Sequence, residues 1–257
     1  MNRLAEATAS KVPEVTLGFW IIKILATTLG ETGGDTVSMT MDLGYLIGTA
    51  IFLSILVVLV VLQIAAKEFR PFLYWATIVA STTVGTTMAD FADRSLGIGY
   101  LGGASILFVS LMAVLAIWYW SQGSVSVDTV STPKVEVFYW TAITVSQTLG
   151  TALGDWAADA GLGYEGGALL FGAALALVTA AYFWTNLSRV LLFWVAFILT
   201  RPLGATVGDF LDKPLDQGGL DLSRPIASAV LAAFIIGCIL ILPQRAGSHP
   251  RTQQSAA

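Results

Sequence analysis

A tryptophan, a glycine ten residues on and an aspartate five beyond that occur four times in this chain. The sets are Trp20, Gly30 and Asp35; Trp75, Gly85 and Asp90; Trp140, Gly150 and Asp155; and Trp194, Gly204 and Asp209. The residue before each Asp is small: Gly34, Ala89, Gly154 and Gly208. Four copies without a one-residue slip predict four copies of one structural unit. Each copy carries two apolar runs, at about 15–66, 70–121, 135–186 and 189–243, and a polar tail, 244–257, follows the last. The repeats share one body, so a single membrane domain is expected over 1–257.

Composition says what solvent that body meets. The chain is 56% hydrophobic and 12% charged, whereas a soluble domain averages about 25% charged residues. The apolar runs are long enough to cross a bilayer and too numerous for one soluble core. The fold class predicted is all-α: a polytopic bundle of eight transmembrane helices, built as four parallel two-helix repeats with pseudo-symmetry about the membrane normal. The helices are expected to face the lipid bilayer. No basic patch exists, which excludes nucleic acid as a partner. The single Cys238 lies in an apolar run, which excludes a disulfide framework and a thiolate metal cluster. His249, the one histidine, falls in the polar tail and reads as a bystander. Residues 1–17 lack the basic, apolar, small-residue order of a cleaved signal and are expected to be retained.

Lys and Arg sort by side. Arg3, Lys11, Lys67, Arg70, Lys134, Arg189, Arg245 and Arg251 fall on the side of the termini, and Arg94, Lys213 and Arg224 on the other. The positive-inside rule then puts both termini in the cytoplasm, with the chain in a bacterial inner membrane and the motif ends facing outward.

Each motif residue has an ordinary reading and a functional one. The pairs Phe19-Trp20, Tyr74-Trp75, Tyr139-Trp140 and Phe193-Trp194 open the odd helices, and an aromatic belt at the membrane interface accounts for them. Gly30, Gly85, Gly150 and Gly204 begin small-xxx-small patterns, which let helix backbones approach closely. Pro202 adds the prospect of a helix break in the last copy. The Asp is costlier to explain. Fifteen helical residues rise about 22 Å against a hydrocarbon core of about 30 Å. A carboxylate at that depth must be paired, hydrated or bound to a cation. The competing reading is a hydrated outer turn.

Helical geometry groups these residues. At about 100° per residue the positions seven, eleven and fifteen beyond each Trp share one face with it. Seven on lie Thr27, Thr82, Gln147 and Arg201; eleven on lie Glu31, Thr86, Thr151 and Ala205. Polar stripes of this kind face protein or water rather than lipid, and four of them are expected to line one central cavity. Glu31 occurs only in the first copy and Arg201 only in the fourth. A closed ring makes those copies neighbours, so the two side chains are predicted to pair. Asp42, Asp93, Asp159, Asp212 and Asp216 are expected to form an acidic outer mouth that concentrates cations.

With these four copies the chain resembles a bacterial multi-pass membrane-protein family built from a tandem two-span repeat with one characteristic Trp per copy, a repeat of unknown function. The resemblance covers about residues 15–242 and implies eight spans without implying an activity. Separately, Glu31-Thr-Gly-Gly-Asp35 resembles the Glu-x-Gly-Asp motif of a family of manganese and calcium exchangers, with one extra residue and no basic residue after the Asp.

The residue types point to an inner-membrane transporter of a hard divalent cation. Asp35, Asp90, Asp155, Asp209 and Glu31 are the candidate metal ligands. Thr27, Thr82, Thr86, Gln147 and Thr151 support them, and Arg201 compensates charge. The cation expected as substrate is manganese, with magnesium or calcium next; no built-in cofactor is called for. Crowded carboxylates raise one another's pKa, which makes proton coupling compatible with the site. Competing readings are a channel or transporter for another small solute, and a non-transporting scaffold subunit. A homo-oligomer is left open. No nucleophile–base set, zinc-protease motif or phosphate loop is present, so an enzyme is not expected.

Overall fold

The computed structural model describes residues 10–247; the start of the polar lead, His249 and the tail beyond Gly247 lie outside it. Eight long helices follow one another: α1 (Leu17–Asp35), α2 (Gly44–Ala65), α3 (Pro71–Asp90), α4 (Tyr100–Gln122), α5 (Pro133–Ala157), α6 (Gly163–Trp184), α7 (Arg189–Asp212) and α8 (Arg224–Ile241). Their starts carry helix-initiating chemistry. The Thr16 hydroxyl accepts the Phe19 N–H at 3.3 Å and the Ser188 hydroxyl accepts the Leu191 N–H at 3.4 Å. Pro71, Pro133 and Pro225 stand in first turns, where a missing N–H costs nothing. Helix α4 ends on Gly123 at φ 75°, the left-handed closure that glycine adopts without strain.

Among the described residues five helical stretches are long and apolar enough to cross a membrane: α2, α4, the stretch Pro133–Trp184 that joins α5 to α6, α7 and α8. Helices α1 and α3 are not among them. Lys23, Glu31 and Asp35 in α1, and the hydroxyl run from Ser81 to Thr87 in α3, dilute their apolar character. Those polar groups are buried against other helices.

Packing separates odd from even helices. α1, α3, α5 and α7 contact one another in a closed ring, α1 to α3 to α5 to α7 and back to α1. The even helices pack outside it: α2 on α3, α4 on α5, α6 on α7 and α8 on α1. The two helices of one sequence repeat therefore do not form the packing unit. Each copy lends its second helix to the next copy, and α8 closes the circle. The lipid-type residues of α2, such as Ile47, Val57, Val58 and Val61, stay exposed, whereas nearly every position along α3 from Thr77 to Asp90 is buried.

The motif tryptophans correct the belt reading. Trp75, Trp140 and Trp194 are buried. They help close the ring at the end where the odd helices begin. Three of the four aromatics before a Trp reach the Trp of the neighbouring copy: Phe19 lies 5.4 Å from Trp75, Tyr74 lies 5.6 Å from Trp140, and Phe193 lies 5.8 Å from Trp20, by ring centroids. Between copies three and four Trp118 bridges, 6.4 Å from Tyr139 and 5.9 Å from Trp194. The Tyr74 and Tyr139 hydroxyls are 2.6 Å apart. Trp120 and Trp184, at 81% and 84% exposure, are the ones placed as interfacial residues are.

The first residues of the polar tail are structured. Pro13 and Ala246 form an antiparallel bridge, Gly247 N–H donates to the Val12 carbonyl at 2.9 Å, and Gln244 accepts from the Trp75 indole at 3.1 Å. Under this strap Lys11 donates to the Ile64 carbonyl at the end of α2 and pairs with buried Glu136 at 2.7 Å. Lys11→Met leaves that carboxylate without its partner. It is expected to cost about 1–3 kcal/mol, read as a lower midpoint of thermal unfolding in detergent.

Candidate functional site

The ring is held by a repeated interlock. A Cβ built on each motif glycine would strike the residue seven beyond the Trp of the next copy. Gly30 meets Thr82, Gly85 meets Gln147, Gly150 meets Arg201 and Gly204 meets Thr27. One turn further, Gly34 meets Thr86, Gly154 meets Ala205 and Gly208 meets Glu31. The glycines are thus sockets for the polar stripe of the adjacent helix, the packing reading of the small-xxx-small pattern. They do not break the helices. α7 runs unbroken through Pro202 and Gly204, which corrects the break expected there. The stripe also does not line an open cavity. Thr27, Thr82, Gln147 and Arg201 are each fully buried because they fill those sockets, and Thr151 is fully buried as well.

The positions eleven beyond each Trp gather at one atom. Copy four has Ala205 there, and Arg201, one turn earlier on the same helix, reaches up to fill the place. Its Nη2, with two hydrogens to share among three acceptors, lies 2.8 Å from Glu31 Oε2, 2.5 Å from Thr86 Oγ1 and 2.6 Å from Thr151 Oγ1, one partner from each of the other three copies. Thr86 in turn donates toward Gly30 O at 3.1 Å. The pairing expected of Glu31 and Arg201 is present, and both groups are buried.

The four motif aspartates form the next layer. Asp35, Asp90, Asp155 and Asp209 are at most 4% exposed, so none is the hydrated turn residue that competed with the functional reading. Helices α1, α3 and α5 run on past them through single π turns, at 36–40, 91–95 and 158–162, a feature common at functional sites. Only some of the predicted ligands come together closely. Glu31, Asp35 and Asp209 present carboxylate oxygens within 4.8 Å of one another. Asp90 is held apart by Arg94, Nε to Oδ1 2.7 Å. Asp155 has an Oδ2 atom with no partner.

Two cations that the sequence reading assigned to outer loops belong to this layer. Lys213 Nζ lies 2.6 Å from Asp35 Oδ2 and 2.9 Å from Asp209 Oδ1, with Asp212 Oδ1 at 3.9 Å. Arg224 Nε sits 3.3 Å from Asp212 Oδ2 and 3.8 Å from Asp35 Oδ2. Asp212 is therefore buried within the ion-pair network and is not part of an exposed mouth; Asp42, Asp159 and Asp216 do remain exposed. Burial works against the Lys213 ammonium, but Asp209, Asp35 and Asp212 outweigh it and hold its pKa well above the usual lysine range. Arg94 is likewise raised, with Asp90 and then Asp155 overcoming burial, so both side chains keep their charge. The signal was legible: Arg94 and Lys213 each stand four residues beyond a motif Asp, on the same helical face.

The layer is electronegative twice over. Glu31, Asp35, Asp90, Asp155, Asp209 and Asp212 outnumber Arg94, Arg201, Lys213 and Arg224. The C-terminal ends of the inner helices add their negative dipole ends to the same level. Such an arrangement can hold cations and exchange one cation for another. No curated protein and no solved structure matches the chain. The family described as Repeat of Unknown Function (DUF347) matches it four times in tandem, at residues 18–69, 73–124, 138–188 and 192–244, so the chain belongs to that repeat family.

Proposed function

We propose that this protein crosses a bacterial inner membrane eight times, with both termini cytoplasmic and its four copies related about the membrane normal, and that it transports a hard cation along the axis of the inner ring. The substrate class is a divalent ion, with manganese first and magnesium or calcium next. The observation that carries this reading is the occupancy of the acidic cluster. Glu31, Asp35 and Asp209 offer oxygen ligands within 4.8 Å of one another, and each already faces a cation of the chain itself, Arg201 at Glu31 and the one Lys213 shared by the two aspartates. An ammonium between two carboxylates stands where a metal ion of the same sign would bind. An incoming ion displaces Lys213, and departure of the ion lets Lys213 return.

Stability alone gives little reason for such a cluster. Buried ion pairs contribute about as much as well-packed apolar residues of equal volume, and often less. In a membrane interior ionisable groups mark ion paths by default.

One observation favours the rival, a non-transporting scaffold subunit: the pairs are closed and the stripe is packed without an opening. Flux separates the two. Purified protein in liposomes loaded with a manganese-quenched dye is expected to give saturable quenching. Asp35→Asn with Asp209→Asn is expected to abolish it while the protein still elutes as one folded species. Wild-type liposomes that admit or release no divalent ion, whichever way the gradient runs, would leave the scaffold reading in place.

A further inference from the structure

The polar groups of the ring divide by sign along the axis. In the outer layer the side-chain atoms without a hydrogen bond belong mostly to carboxylates: Asp155 Oδ2, and Asp209 Oδ1 and both oxygens of Asp212, which meet Lys213 and Arg224 as ion pairs. One and two turns inward the situation reverses. Gln147 Nε2, Arg201 Nε and Arg201 Nη1 are buried without partners, and each is a donor. Thr82 Oγ1, also unpartnered, is a hydroxyl that can donate. All three residues are fully buried.

Charge follows the same division. Lys23 is fully buried on α1, one turn before Thr27. Its Nζ lies 3.4 Å from Gln147 Oε1 and 4.1 Å above the Phe197 ring, and among the described residues no carboxylate pairs with it. Glu31 compensates Arg201, which leaves the ammonium of Lys23 uncompensated. An isolated buried ammonium is among the costliest groups a protein can hold. Gln147 links the two cations through the fold. Its Oε1 faces Lys23, and it stands three residues before Gly150, the socket that receives the Cβ and Cγ of Arg201.

We propose that this layer is an anion site, taking one small inorganic anion of the halide class between Lys23, Gln147 and Arg201. Water satisfies the geometry less well, because it brings two hydrogens of its own into a layer whose free atoms are already donors. An anion accepts from all of them and cancels the uncompensated charge. The inference stands apart from cation transport, since the same layer exists in a bundle that transports nothing.

The test uses the full chain in detergent at constant ionic strength, with chloride exchanged for gluconate. Chloride, and bromide in its place, is expected to raise the unfolding midpoint saturably by several degrees, as a ligand bound only by the folded state does. Lys23→Met is expected to abolish the dependence and to be no less stable than wild type in gluconate, because it removes the unpaired charge. Gln147→Glu supplies a tethered anion and is expected to make the protein chloride-independent at the higher midpoint. A wild-type midpoint that does not distinguish chloride from gluconate overturns the proposal; it is the result given by a neutral Lys23 amine or by water alone. A response that persists unchanged in Gln147→Glu, or in folded Lys23→Met, overturns it as well.

Discussion

Arg201→Leu is expected to lower stability by about 3–5 kcal/mol, the cost of stripping one partner from a buried ion pair. The structure puts this substitution at the upper end of that range. A single guanidinium nitrogen joins Glu31, Thr86 and Thr151, from the three other copies. Leucine takes the cation from a buried carboxylate and the donor from two hydroxyls, in a layer that is out of reach of water. The measurement is the unfolding midpoint in detergent, with cation flux read in parallel. The double variant Arg201→Leu with Glu31→Leu is expected to recover most of the stability, because an apolar pair of similar volume replaces the ions. Under the transport reading it recovers no flux, since Glu31 is gone. If the double variant is as unstable as the single one, the pair is not what ties the four helices together.

Gly204→Val is the second large effect. A Cβ at Gly204 already falls 2.5 Å from Thr27 Cβ and 2.8 Å from the Thr27 carbonyl carbon, well inside any real contact. Because one obstacle is backbone, no rotamer change relieves it. Overpacking usually costs about 1–3 kcal/mol and occasionally more; the two extra methyls of valine put this case at or beyond the top of that range. The contact lies between α7 and α1, the junction that closes the ring, so loss of the closed monomer on size exclusion is expected along with a lower midpoint. Gly33→Ala is the control. No atom lies within 4 Å of its added Cβ, and alanine favours helix over glycine, so a neutral or stabilising result is expected. Equal damage from both would mean that the interlock does not hold the ring.

Much of this architecture was legible in the residues. The Trp, Gly and Asp spacing marked four units, and the helical angle put the stripe on one face, where it is buried. The expected adjacency of the first and fourth copies follows from ring closure alone, and Glu31 meets Arg201 as it requires. What the spacing could not carry is which helix packs on which. Sequence proximity suggested two-helix units, whereas each even helix lies on the following copy, a choice made by surface fit between helices distant in the chain. The tryptophans illustrate the same gap. Trp75 and Trp120 both stand at a helix end rich in aromatics, yet one is buried and the other 81% exposed. Composition places an aromatic at a depth in the bilayer, and only tertiary packing decides whether it faces lipid or protein. Lys213 was overlooked for a different reason: it lies beyond the apolar run, and its role depends on α7 continuing to Asp212.

The closing contact of α8 on α1 has a consequence for how the protein is made. A ribosome delivers α1 first, with Glu31 and Asp35 aboard, and their partners Arg201 and Lys213 emerge 170 and 178 residues later. Until α7 arrives those two carboxylates lack the cations that meet them in the fold, so α1 is expected to settle into place only after the helices that follow it. The last two helices are then expected to latch the nascent bundle, and a chain truncated before α7 is expected to leave Glu31 and Asp35 unpaired.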